Sequence, residues 1–125
     1  MSAMARRLLM AAALLLAVAT VFGAFGAHAL RGVLTPERMD TWQTAVHYQF
    51  FHALGLFGLG LLADRRPQRL LHVAGGLLLG GILVFSGSLY LIVAGAPTWL
   101  GAVTPVGGLL MIVAWILAAA GLRRM

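Results

Sequence analysis

Four long apolar stretches separated by short breaks decide almost everything this chain can fold into. They cover about residues 8–30, 42–62, 70–94 and 99–122. Each meets the roughly 18–20 apolar residues that mark a membrane-spanning helix rather than a buried core helix. At a rise of about 1.5 Å per residue, each can cross the roughly 30 Å hydrocarbon core of a bilayer. Of the 125 residues only 10% are charged while 62% are hydrophobic, too few polar side chains to clothe a soluble domain. The expected fold is all-α: one domain over residues 1–125, built as a four-helix transmembrane bundle.

The breaks carry their own signals. In residues 31–41, Thr35-Pro36-Glu37 has the form of a helix start, with Thr35 as N-cap and Pro36 in the first turn. A short interfacial turn leading into the second span at Trp42 is expected there. Residues 64–68 form a charged turn in which Pro67 ends one helix and permits the next. Residues 95–98 (Gly-Ala-Pro-Thr) form an uncharged tight turn. Arg6-Arg7 ahead of the first stretch, with Ala27-His28-Ala29 at its end, could also be read as a signal peptide. The stretch exceeds the 7–15 residues of a signal-peptide apolar region, so an uncleaved helix is expected.

The formal charge of +6 comes from nine Arg and no Lys against Glu37, Asp40 and Asp64. A basic protein of this kind could meet nucleic acid, but the arginines lie at the ends of apolar segments rather than in a basic stripe, so nucleic acid is not an expected partner. With the N-terminus inside, Arg6, Arg7, Arg65, Arg66, Arg69, Arg123 and Arg124 are cytoplasmic and only Arg31 and Arg38 lie outside. Seven against two sets the topology as N-in and C-in. Trp42 and Trp99 then fall at the outer ends of spans two and four, where aromatic rings anchor at the interface. Arg without Lys, among abundant Ala, Leu and Gly, suits a bacterial chain, and the expected location is the cytoplasmic (inner) membrane. The absence of Cys excludes disulfides, zinc–thiolate sites and thiol catalysis.

In lipid, helices associate through close contact of small residues and through interhelical hydrogen bonds. Gly23 and Ala27 in span one, Gly76 and Gly80 in span three, and Gly107 and Gly108 in span four are the expected packing positions. They serve either the fold itself or a contact with a second copy or a larger membrane complex.

Polar residues in hydrocarbon are costly and face protein or water. Span two holds Gln43, Thr44, His47, Tyr48, Gln49 and His52 within ten residues, and at 100° per residue they occupy two sides of the helix. A helix polar on two sides is expected to be the central one. By depth, His28, Gln43, His47, Tyr48, Gln49, His52, Ser86, Ser88 and Tyr90 all fall in the outer half of the bilayer and form a candidate polar cluster, while the inner half is nearly all apolar. The cluster is read first as a hydrogen-bonded network fixing helix register. A proton- or solute-binding site is the alternative, because intramembrane His can titrate near neutrality. No metal or cofactor is expected: His47 and His52 are spaced i, i+5 and diverge, and no acid lies within a span. Ser86-Gly87-Ser88 lacks the strand–turn–helix context of a nucleophile elbow. His72, near Arg69, is expected as an interfacial cap.

Gly23-Ala24-Phe25-Gly26-Ala27-His28, the run from Trp42 to Leu54 (WQTAVHYQFFHAL), Phe85-Ser86-Gly87-Ser88-Leu89-Tyr90 and Thr104-Pro105-Val106-Gly107-Gly108 resemble the signatures of the YgdD-like family of small inner-membrane proteins. The resemblance covers nearly the whole chain. It implies a four-helix membrane protein without an assigned activity, and it carries over no catalytic or ligand-binding residue. The expected function is that of a non-enzymatic structural or accessory membrane protein. A small transporter or channel is the second reading and a cofactor-binding redox subunit the third.

Overall fold

The first two helices begin where a side chain supplies what their first free N–H groups need. The computed structural model describes residues 1–125. Ser2 opens α1 (Ala3–Ala29), its Oγ accepting from the Ala5 N–H at 3.1 Å. Thr35 opens α2 (Pro36–Arg65) in the same way, accepting from the Arg38 N–H at 3.2 Å, with Pro36 and Glu37 in the first turn. Glu37 there also complements the positive end of the helix dipole. Pro67 separates α2 from α3 (Arg69–Val93), and Gly95, at φ +108°, turns the chain out of α3. A 3₁₀ turn (Thr98–Ala102) then leads into α4 (Thr104–Arg123). No strand is present.

All four helical segments are long and apolar enough to cross a membrane. Two boundaries differ from expectation. The second helix does not wait for Trp42: it starts at Pro36 and runs unbroken for 30 residues, because nothing after Thr35-Pro36-Glu37 interrupts it. Hydropathy marks where the chain enters lipid, whereas the cap marks where the helix begins. The fourth span is not one helix from residue 99. Pro105 has no N–H to donate and clashes with a preceding turn, so it can stand only in a first turn, and α4 begins at Thr104.

The helices pack in chain order, α1 on α2, α2 on α3 and α3 on α4, with a smaller contact of α1 on α3. The core joins all four: Leu8 and Ala12; Leu56, Leu59 and Ala63; Leu71, Ala74, Leu78 and Ile82; Met111, Ala114 and Ala118. The central helix is therefore α3 rather than the expected α2. It carries the middle of the core, while α2 leaves its Gln43 and His47 side at the surface.

Close approach is concentrated where α3 meets α4. A Cβ at Gly107 would fall on the Phe85 backbone, and one at Gly81 would stand 2.6 Å from Met111 Cγ and 2.9 Å from the Gly107 carbonyl oxygen. With no hydrophobic driving force between helices in lipid, this van der Waals proximity is what holds such a pair. Gly23 sits against Val46 and Phe50, seating α1 on α2, and Gly108 makes only ordinary contact with the Phe85 ring. Gly76 and Gly80 differ from expectation as intramolecular packing positions: nothing lies within 4 Å of a Cβ built on either. Ala27 is likewise exposed, and the close contact one residue earlier belongs to Gly26. GxxxG spacing shows which backbone could be approached, not which side of it the neighbouring helix takes.

Candidate functional site

Six of the nine polar residues expected to cluster are divided among three places. The first is a buried seam among α1, α2 and α3. Gln49 is only 3% exposed. Its Nε2 donates to the Leu15 carbonyl at 2.8 Å, and its Oε1 accepts from the Tyr90 hydroxyl at 2.7 Å. One turn away on each helix, Ser86 Oγ donates to the Ala45 carbonyl at 2.7 Å. Helical side chains lean toward the N-terminus of their own helix. In antiparallel neighbours, Gln49 therefore leans toward one end and Tyr90 toward the other, and they meet. The backbone carbonyls keep their helical bonds and offer a second lone pair.

Trp42 extends the seam. Its Nε1–H donates to the Phe22 carbonyl at 3.1 Å, and Phe22, Trp42 and Tyr90 surround one another at centroid separations of 5.2, 5.0 and 4.9 Å. The bond exists because Gly26 has no side chain: any Cβ there would overlap the indole. Trp42, expected as an aromatic interface anchor, clamps the α1 backbone. Phe22 and Gly26 were not singled out in the sequence. The signal available was Trp42 with a glycine one helix earlier, but nothing in the spacing pairs them.

The second place joins α3 to the start of α4. Ser88 and Thr104 hydroxyls lie 2.6 Å apart, and Ser88 also donates to the Phe85 carbonyl at 2.9 Å. The third lies between α2 and α4. Trp115 Nε1–H donates to His52 Nδ1 at 3.0 Å, which requires a neutral imidazole carrying its proton on Nε2. Tyr48 stacks on His52 at 5.8 Å and lies tilted against Phe85 at 4.6 Å.

His28, Gln43 and His47 join none of these; all three are exposed. Gln43 and His47 line a cleft of about 210 Å³ with Gly23, Ala27, Met39, Trp42 and Val46. The three histidines of the expected cluster thus do not converge. No three His, Asp or Glu side chains stand together as a metal-binding group. At the opposite end of the bundle, His72 does not act as a cap: its Nε2 is buried without a partner, as is Gln68 Oε1.

This arrangement ties helices together. In the seam, the buried Gln49 and Ser86 bond to backbone carbonyls and the half-buried Tyr90 to Gln49.

The chain's relatives share its size and character. It is 43% identical over 101 residues to the UPF0382 membrane protein YwdK of Bacillus subtilis, covering 80% of this chain and 82% of the relative. It is 44% identical over 95 residues to the UPF0382 membrane protein SH2409 of Staphylococcus haemolyticus, covering 76% and 77%. It is 45% identical over 94 residues to the UPF0382 membrane protein SERP0230 of Staphylococcus epidermidis, covering 75% and 76%. No solved structure matches it. With residues 22–108 matching the family described as protein of unknown function (DUF423), the chain belongs to that family of membrane proteins.

Proposed function

We propose that this protein is a non-enzymatic structural or accessory protein of the bacterial cytoplasmic membrane, with both termini in the cytoplasm, acting through the packing of its helices. The observation that carries this reading is Gln49, buried and bonded at both ends of its amide to α1 and α3. A residue held in this way locks the register of three helices. The exposed positions of His28 and His47 support the same reading, because a proton path through the bundle needs His side chains in series. The four YgdD-like motifs all lie within the matched residues 22–108, which supports treating the two family descriptions as one. The seven arginines at one end of the bundle support the N-in, C-in orientation.

Purification in mild detergent followed by native mass spectrometry and liposome flux tests the reading. The expected result is a chain that co-purifies with a larger membrane assembly and leaves proton flux at the level of empty vesicles. Flux above that level, lost in His52→Ala, would overturn it.

A further inference from the structure

Two openings, one between α2 and α4 and one along the end of α4, meet at one residue. The first is a lateral groove of about 410 Å³ between α2 and α4, with Gly58, Leu62, Trp115, Ala119 and Leu122 among its walls. It exists because α2 and α4 each pack on α3 rather than on one another. Trp115 closes it at one end, its ring over Gly55 and its N–H on His52. The second is an open cleft of about 600 Å³ bounded by Ala119, Ala120, Arg123 and Arg124. Ala119 lines both.

The charge around the second opening is one-sided. Ser2 N–H binds Asp64 across the α1–α2 pair, and Gly121 abuts Gln68 across the α3–α4 pair. Arg6, Arg7, Arg65, Arg66, Arg69, Arg123 and Arg124 therefore share one end of the molecule with a single acid, Asp64, whose Oδ1 is already engaged by Ser2. The N-terminus of α3 opens at this end with no side-chain cap from Gln68, adding the positive end of its dipole.

We propose that the composite is a binding site for one anionic phospholipid, with its phosphate on Arg123 and Arg124 and an acyl chain in the groove. Guanidinium groups bind phosphate oxygens in pairs, and basic pockets at the ends of spanning helices are suited to anionic headgroups. The eight residue steps from Arg123 to Trp115 span about 12 Å of helix, close to the roughly 15 Å depth of one leaflet's hydrocarbon. The groove opens sideways to that hydrocarbon, which is what a lipid requires and a free phosphate ester does not use.

The test is lipid retention by the full chain in mild detergent, read by native mass spectrometry against phosphatidylglycerol and phosphatidylcholine with the same acyl chains. The expected result is one phosphatidylglycerol retained roughly thirtyfold more strongly than phosphatidylcholine, from two arginines near the surface. The double variant Arg123→Gln/Arg124→Gln brings that ratio close to one, while Arg31→Gln/Arg38→Gln at the opposite end leaves it unchanged. Gly58→Leu fills the groove and lowers retention of both lipids; nothing stands within 4 Å of a Cβ there, so the fold survives. Equal retention of the two lipids by the unmodified chain overturns the proposal. So does retention by the Arg123→Gln/Arg124→Gln variant equal to that of the unmodified chain, or equal competition by glycerol phosphate alone. A dimer without retained lipid, dispersed by Gly58→Leu, also overturns it and gives the groove to a second copy.

Discussion

At the scale of single residues, the amide of Gln49 and the missing side chain of Gly26 do the most to set this structure. Gln49→Leu keeps the volume and removes two hydrogen bonds, stranding the Tyr90 hydroxyl. Interhelical bonds in membranes average about 0.6 kcal/mol each, so the variant is expected to lose about 1–2 kcal/mol once the stranded hydroxyl is included. Tyr90→Phe is expected to lose less, and the double variant less than the sum of the two, because both changes break the same bond. Thermal unfolding in detergent by circular dichroism reads all three; strict additivity would mean that the Tyr90–Gln49 bond contributes nothing. Gly26→Ala is expected to push the Trp42 indole off the α1 backbone and shift its fluorescence to the red. An unchanged spectrum would remove the clamp from this account. The candidate polar residues were legible in the sequence, since depth along four spans follows from hydropathy. Their pairing was not, because it depends on rotation about each helix axis and on which carbonyl a glycine leaves uncovered. His47 and Gln49, two positions apart, ended up one exposed and one 3% exposed.

At the scale of helices, the number of spanning helices and the start signal of the second followed from the chain. Thr35, Pro36 and Pro67 did at their positions what capping and proline geometry require of them. The contacts between helices were less legible: glycine is equally available to a neighbour, to lipid or to a second chain. Gly107 and Gly108 give the sharpest contrast. Gly107→Ala places a methyl group on the Phe85 backbone and must part α3 from α4, at an expected cost of about 1–3 kcal/mol. Gly108→Ala meets only the Phe85 ring, its nearest atom 3.8 Å away, and is expected to leave the unfolding midpoint unchanged. Gly76→Ala and Gly80→Ala, facing open space, are expected to leave the single chain at least as stable as the parent, because Ala is the better helix former. If these two variants instead destabilise the purified protein, that face is in contact with another molecule. The same denaturation series decides it.

At the scale of the whole molecule, the orientation in the bilayer is the property that the arginines and the helix ends together argue. Antiparallel packing puts the start of α1, the α2–α3 turn and the end of α4 at one end, and the α1–α2 loop and the α3–α4 turn at the other. Seven arginines stand at the first end and two at the second. Moving the arginine-rich end across a membrane against its potential costs about 2.3 kcal/mol per charge per 100 mV, so the proposed N-in, C-in orientation is expected to dominate. The chain contains no Cys, which leaves a clean background for labelling. Pro67 and Gly101 are exposed at opposite ends, so a single cysteine at either is accessible. In intact cells, a membrane-impermeant maleimide is expected to label Gly101→Cys and to leave Pro67→Cys unlabelled until the cells are opened. The reverse pattern would place the arginines outside. Equal labelling of both would mean a mixed population and would count against the arginine bias. Reversing the bias supplies the control: with Arg65, Arg66 and Arg69 changed to Gln and three Arg added after Gly95, the count becomes four against five, and part of the population is expected to invert.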